Sequence, residues 1–288
     1  MPTLAIVRTP IAAVHAEPRV SSAQTTQALF GRALLVLDAE GEWQRVRTLH
    51  DGYEGWAHAG ALDRVPLDAV PDDAERFGAY AERTFAVPAT HPITPDDPAA
   101  VRAAFGGAPP AFALGCTVEA GARRLHLPLG AVVHAEQRVV AGDAVALDVQ
   151  PTRFPARADA VCVSAAALFE GTSYQWGGVT PWGADCSGFV QTLFALHGVD
   201  LPRDAWQQAR VGVPGAPALA DAAAGDLLFF ADAPDARPDH VGLALGGGRM
   251  AHLALGRGGW AVEALDDADD PYVARLRDRF VGARRVIG

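Results

Sequence analysis

The chain is 288 residues long, with half of its residues hydrophobic and a fifth charged, a balance that builds packed domains and excludes wholesale disorder. That length leads us to expect two or three domains. A formal net charge of -10 with no Lys/Arg-rich run argues against nucleic acid as a partner, because phosphate binding needs basic side chains.

The chain starts Met1-Pro-Thr-Leu-Ala-Ile-Val-Arg-Thr-Pro10, without the basic start and long apolar core of a secretion signal. No stretch reaches the roughly 18 apolar residues that a membrane span needs. A cytoplasmic location is the resulting expectation. Residues 1–66 read as short strands: Ala33-Leu-Leu-Val-Leu37 is apolar, Trp43-Gln-Arg-Val-Arg47 alternates, and Gly55-Trp56-Ala57 follows a turn at Asp51-Gly52. Short strands broken by Gly and Asp at this spacing predict a small barrel. The run of Glu17-Pro18, Thr26-Gln27, Phe30-Gly31, Glu42-Trp43 and Asp51-Gly-Tyr-Glu-Gly-Trp56 resembles bacterial SH3-like domains.

Residues 67–83 place Phe77, Tyr80 and Ala81 among acidic residues, which predicts a connecting helix, and a Pro-rich loop follows. Strand patterns resume at Ala111-Phe-Ala-Leu114, Arg124-Leu-His-Leu127, Ala131-Val-Val-His134 and Val145-Ala-Leu-Asp-Val149. We therefore expect residues 67–150 to hold the helix and a second, divergent SH3-like barrel. Pro151 to Pro155 marks the boundary of a last domain, 151–288. Its first helix covers Asp159 to Phe169, and Cys162 within it reads as a small buried hydrophobe, as does Cys116 in the strand-rich region. Cys116, Cys162 and Cys186 form no C-x-x-C pair, so neither a disulfide framework nor a cysteine zinc site is indicated, and no cofactor is expected.

Asp185-Cys-Ser-Gly-Phe189 opens the next helix. Phe189, Val190, Leu193, Phe194 and His197 fall on one apolar stripe, Gly198 stops the helix and Pro202 prevents its resumption. Asp185 is a good N-cap, so Cys186 sits in the first turn, where unpaired amides and the helix dipole favour a thiolate and lower its pKa. A thiolate is the form that attacks a carbonyl.

Further on, Asp239-His-Val-Gly-Leu-Ala-Leu245 alternates, with Val241, Leu243 and Leu245 on one face and His240, Gly242 and Ala244 on the other. If Gly246-Gly-Gly248 is the loop, Gly242 pairs with His252 and His240 with Ala254. The two histidines are then diagonal neighbours on one face, roughly 7–8 Å apart at the backbone. A two-residue loop would place them on opposite faces. Gly242 opposite His252 leaves space for an imidazole. Nucleophile, base and orienting group make up the triad logic, with His252 in the third role. A Cys/His/His zinc site uses the same ligand types but lacks a fourth ligand at a matching spacing.

Tyr174-x-Trp-Gly-Gly178, Asp185-Cys-Ser-Gly-Phe-Val-Gln191, Gly198-x-x-Leu-Pro-Arg-Asp204, Gln207, Gly225-Asp-Leu227, His240-Val-Gly242 and His252 together resemble the NlpC/P60 family of bacterial cell-wall cysteine peptidases. The resemblance implies an α+β fold, with a papain-like catalytic domain preceded by one or two small SH3-like β-barrels. It implies Cys186 as nucleophile, His240 as base and His252 as the residue orienting it. Tyr174 and backbone amides at the helix start would bind the oxyanion, with Trp176, Asp185 and Ser187 lining the substrate site. The implied substrates are peptidoglycan-derived peptides, cut between γ-linked D-glutamate and a diamino acid. Similar enzymes with SH3-like domains process freed wall peptides, holding the free N-terminal amine of L-alanine with the residue here at Asp204. Ala205 departs from the Ser usual in that subgroup. Glu17 and Tyr53 match the SH3-domain residues that close the pocket. A cell-wall amidase or acyltransferase on the same core, or an inactive wall-binding module, are the alternatives. Intact Cys186, His240 and His252 speak against the last.

Overall fold

Period-two alternation builds the first part of the molecule. The computed structural model describes residues 3–65 and 110–288, which divide into two compact units, 3–65 with 110–153, and 154–288. The first unit opens with β1 (Thr3–Val7), β2 (Ile11–His15), β3 (Gln24–Leu29), β4 (Ala33–Glu40), β5 (Trp43–Thr48), β6 (Glu54–His58) and β7 (Leu62–Val65). They form one sheet in the order β3-β2-β6-β5-β4-β1-β7. Alternate residues Ala12 and Val14, Leu34 and Val36, and Val46 point into one core with Val7, Ala28 and Ala57.

Residues 110–153 add β8 (Ala111–Ala120), β9 (Arg123–Val133), β10 (Arg138–Ala146) and a short helix, α1 (Gln150–Arg153). The three strands form an antiparallel sheet ordered β10-β8-β9. His134 Nε2 lies 2.8 Å from the Gly31 carbonyl and the Val132 amide donates to Phe30 at 2.8 Å, tying this sheet to the first within the unit. This sheet is what the described residues of the expected second barrel contain. The helix expected at 67–83 lies outside the described residues.

The second unit runs α2 (Ala158–Phe169), β11 (Val179–Thr180), β12 (Gly183–Ala184), α3 (Cys186–Leu196), α4 (Ala205–Gln208), β13 (Val213–Pro214), β14 (Leu227–Phe230), β15 (His240–Gly246), β16 (Arg249–Ala254), β17 (Gly259–Ala264), α5 (Pro271–Arg279) and β18 (Phe280–Arg285). Six strands form an antiparallel sheet, β13-β18-β14-β15-β16-β17, and α3 lies against β15 and β16. The expected single apolar stripe understates α3, since every residue in it except Ala195 is buried. Packing between α2, β11 and the sheet leaves it no solvent face, and its polar residues bond locally. Thr192 Oγ1 donates to Val179 O at 2.6 Å, and Gln191 Nε2 donates to Leu201 O at 2.9 Å.

The histidine hairpin differs from its expected loop yet keeps its expected register. Gly246 pairs with Arg249, so only Gly247 and Gly248 turn the chain, both at positive φ. A bulge between Ala244 and Gly246 then restores the parity, with Ala244 opposite Met250 and Leu243 opposite Ala251. Continuing that register sets Gly242 opposite His252. A Cβ on Gly242 would stand 2.3 Å from Met250 Sδ, so the missing side chain makes room for a thioether and not, as expected, for the imidazole.

Candidate active site

Asp185 caps α3, its Oδ1 accepting from the Gly188 amide at 2.8 Å, and so puts Cys186 at the first helical position. The close turn demands glycine at 188, where a Cβ would lie 2.1 Å from Gly178 O. The Cys186 thiol is buried, with Sγ 4.0 Å from the carbonyl of Asp239, the residue that precedes His240. Burial, followed by the charge of Asp185, pushes its pKa up to about 12, against the pull of the Val241 and Ser187 amides and Arg203. This corrects the expectation of a depressed thiol. The helix start does favour the thiolate, but desolvation outweighs it.

His240 and His252 share one face of the hairpin, with His240 Nε2 2.9 Å from His252 Nδ1 and their ring centroids 5.1 Å apart. Burial, then the neighbouring His252 and Arg279, hold His240 down at about 3. The resting pair is therefore neutral thiol and neutral imidazole. His252 is fully buried, and its other nitrogen, Nε2, lies 3.1 Å from Glu263 Oε1. Both of its ring nitrogens are thus engaged, leaving none for a zinc ion.

Glu263, on β17, was not foreseen. It opposes Met250 across the strand pair, while His252 opposes Ala261, so Glu263 is the diagonal neighbour of His252. The same strand alternation, continued from His252 across the next hairpin, leads to it. Arg257 grips Glu263 with Nε to Oε1 and Nη2 to Oε2, both at 2.8 Å, and also pairs with Asp270. Burial pushes the Glu263 carboxyl up, but hydrogen bonds from His252 and Arg257 overcome it and hold it at about 2.

The remaining expected residues divide. Tyr174 is half-buried beside α3, bridged to Ala184. Burial, then the charges of Cys186 and Asp185, raise its phenol, which stays protonated as a hydrogen-bond donor. Trp176 stands out at 66% exposure. Asp185 and Ser187, expected to line the substrate site, turn inward instead. Arg203 Nη1 and Nη2 reach Asp185 Oδ1 and Oδ2 at 3.0 and 2.6 Å, and Nη1 reaches Ser187 Oγ at 2.8 Å. An N-cap carboxylate must fold back over the first turn, which points it away from a cleft at the helix tip. Asp204, half-buried, caps α4, where its Oδ2 accepts from Trp206 Nε1 at 3.0 Å. Arg237 stacks on the same indole at 4.1 Å. Glu17 and Tyr53 belong to the first unit. Glu17 pairs with Arg19 at 2.9 Å on the surface, and the Tyr53 amide donates to Thr48 Oγ1 at 2.8 Å.

Comparison with known proteins matches these two regions separately. Residues 171–276 fit the model of the NlpC/P60 family, and residues 14–62 that of the bacterial dipeptidyl-peptidase SH3 domain. The chain is 33% identical over 270 residues to the gamma-D-glutamyl-L-lysine dipeptidyl-peptidase of Bacillus subtilis, covering 87% of this chain and 78% of that one. A protein of the same name from Bacillus cereus is 34% identical over 126 residues, 43% of this chain and 35% of that one. A solved NlpC/P60 family protein from Bacillus cereus superposes with a TM-score of 0.70 at 19% identity, over 99% of this chain and 100% of that one, which shows the shared fold. An SH3-like, sheet-rich region followed by an α+β catalytic domain is thus the architecture, and the chain belongs to the NlpC/P60 family.

Proposed function

We propose that this chain is a cysteine peptidase that hydrolyses the bond between γ-linked D-glutamate and a diamino acid in peptidoglycan stem peptides, with Cys186 as nucleophile, His240 as base and His252 orienting it. The observation that carries this reading is the buried thiol at the tip of α3 against the start of β15, whose first residue, His240, bonds to His252. The name of the Bacillus subtilis relative supports the bond type.

The neutral resting pair sets the order of events. On substrate engagement His240 takes the thiol proton and the sulfur attacks the carbonyl carbon of the γ-amide. The oxyanion accepts hydrogen bonds from the Tyr174 hydroxyl and amides at the helix start. Collapse breaks the C–N bond, and His240 returns its proton to the leaving amine of the diamino acid. Water, deprotonated by His240, then cleaves the thioester and restores the thiol.

In this reading Asp204 binds the substrate's free N-terminal end. One of its oxygens is taken by Trp206, and the other is the proposed partner of a free N-terminal ammonium. The exposed indole of Trp176 offers a face to the peptide. L-Ala-γ-D-Glu-diaminopimelate should be cleaved, and its N-acetylated form should show a KM raised about tenfold or more, since the lost contact is charge-assisted. In Asp204→Ala that discrimination should largely vanish. Equal cleavage of both peptides by the wild-type enzyme would contradict the amine contact and favour attack on intact wall.

A further inference from the structure

The hydrogen bonds behind His252 fix where the protons sit. Glu263 is 5% exposed and held as a carboxylate by Arg257, so it can only accept. The nitrogen facing it, His252 Nε2, must therefore carry a proton. Arg257 already answers the carboxylate charge with two hydrogen bonds, so no second cation is called for. A neutral His252 then has a lone pair on Nδ1, and the 2.9 Å contact requires His240 Nε2 to be the donor. Only Nδ1 of His240 is left with a lone pair.

We propose that Glu263 is a positioning residue: by accepting the Nε2 proton of His252 it sets the tautomer of both imidazoles and leaves Nδ1 of His240 as the basic nitrogen. No proton moves onto Glu263 during the reaction. When His240 takes the thiol proton on Nδ1 it becomes an imidazolium, and its Nε2–H continues to donate to His252 Nδ1. The hydrogen bond from His252 Nε2 to Glu263 polarises His252, so that its Nδ1 is a stronger acceptor for that cation. Asp270, on the far side of Arg257, keeps the guanidinium aimed at Glu263. Arg279 also acts on His240, and its two partners, Asp239 and Asp232, hold it in place.

This inference rests on the peptidase reading, and its test separates the two. Nitrogen-15 NMR of histidine-labelled Cys186→Ala protein reads the tautomers without any turnover. Protons on Nε2 of both His240 and His252 are expected. A proton on His252 Nδ1, alone or in a doubly protonated ring, would overturn the proposal, because His240 Nε2 would then be the acceptor. In the otherwise wild-type enzyme, Glu263→Gln should lower kcat about 10- to 100-fold with KM nearly unchanged. The acid limb of its pH profile should move to lower pH, because His252 becomes a weaker acceptor for the imidazolium and Arg257 loses its carboxylate partner. A kcat within about threefold of wild type and an unmoved acid limb would contradict the role. A variant that fails to fold leaves the NMR measurement to decide. Wild-type protein that cleaves no γ-D-glutamyl peptide would instead sink the peptidase reading, whatever the tautomers.

Discussion

Cys186 and His240 both lie where burial favours the uncharged form, and this governs how the unit responds to pH. Folded His240 titrates at about 3, against 6.5 for a free histidine. Between those values the unfolded chain binds a proton that the folded one refuses, so stability falls as the pH drops below 6.5. The thiol acts at the other end. Its pKa rises from 9.0 to about 12, so the unfolded chain releases a proton first, and stability falls as the pH rises above 9.0. Glu263, lowered from 4.5 to about 2, steepens the acid side further. Thermal unfolding midpoints should therefore plateau between these flanks, and His240→Ala should flatten the acid side. An acid slope unchanged in that variant would show that His240 is not the titrating group. The position of Cys186 was legible because Asp185 is a local signal. Its ionisation was not, since burial depends on a strand more than fifty residues away.

At the scale of elements, α3 and the histidine hairpin were both readable, for different reasons. Cap, stripe and stop residues mark α3 within one short stretch. The hairpin register followed from alternation around three glycines, and it survived a shorter loop only because a bulge at Leu245 restored the parity. Glu263 escaped because its link to His252 crosses a second strand pair. Arg203 escaped a role altogether, although it lies 1% exposed and forms a two-point pair with Asp185, itself only 8% exposed. That pair holds the cap of α3 and, through Gly177 N to Asp185 Oδ2 at 2.9 Å, the turn before β11. Removing one partner of a buried pair strands the other charge. Arg203→Ala should cost about 3–5 kcal/mol in denaturant unfolding of this unit, with activity falling as the cap loosens. A loss below about 1 kcal/mol would mean that the pair does not organise the helix start.

Across the whole molecule, strand patterns in residues 1–66 and 110–150 were visible from turn residues and alternation, yet their sheet partners were not. β8, β9 and β10 pair with interrupted registers, and such irregularities leave no local signature. The catalytic unit was legible at greater depth because its chemistry demands particular residue types at particular ends of elements. Sequence likeness spans both parts, since the 33% identical relative covers 87% of this chain. Among the described residues no helix is long and apolar enough to cross a membrane. The central claim is that Cys186 attacks the γ-D-glutamyl amide. Its most direct test is the rate at which purified wild-type and Cys186→Ala proteins release L-Ala-D-Glu from L-Ala-γ-D-Glu-diaminopimelate. The wild-type protein should release it, and the variant should be slower by about a thousandfold or more while still folding. Release by Cys186→Ala within about tenfold of wild type would contradict the account.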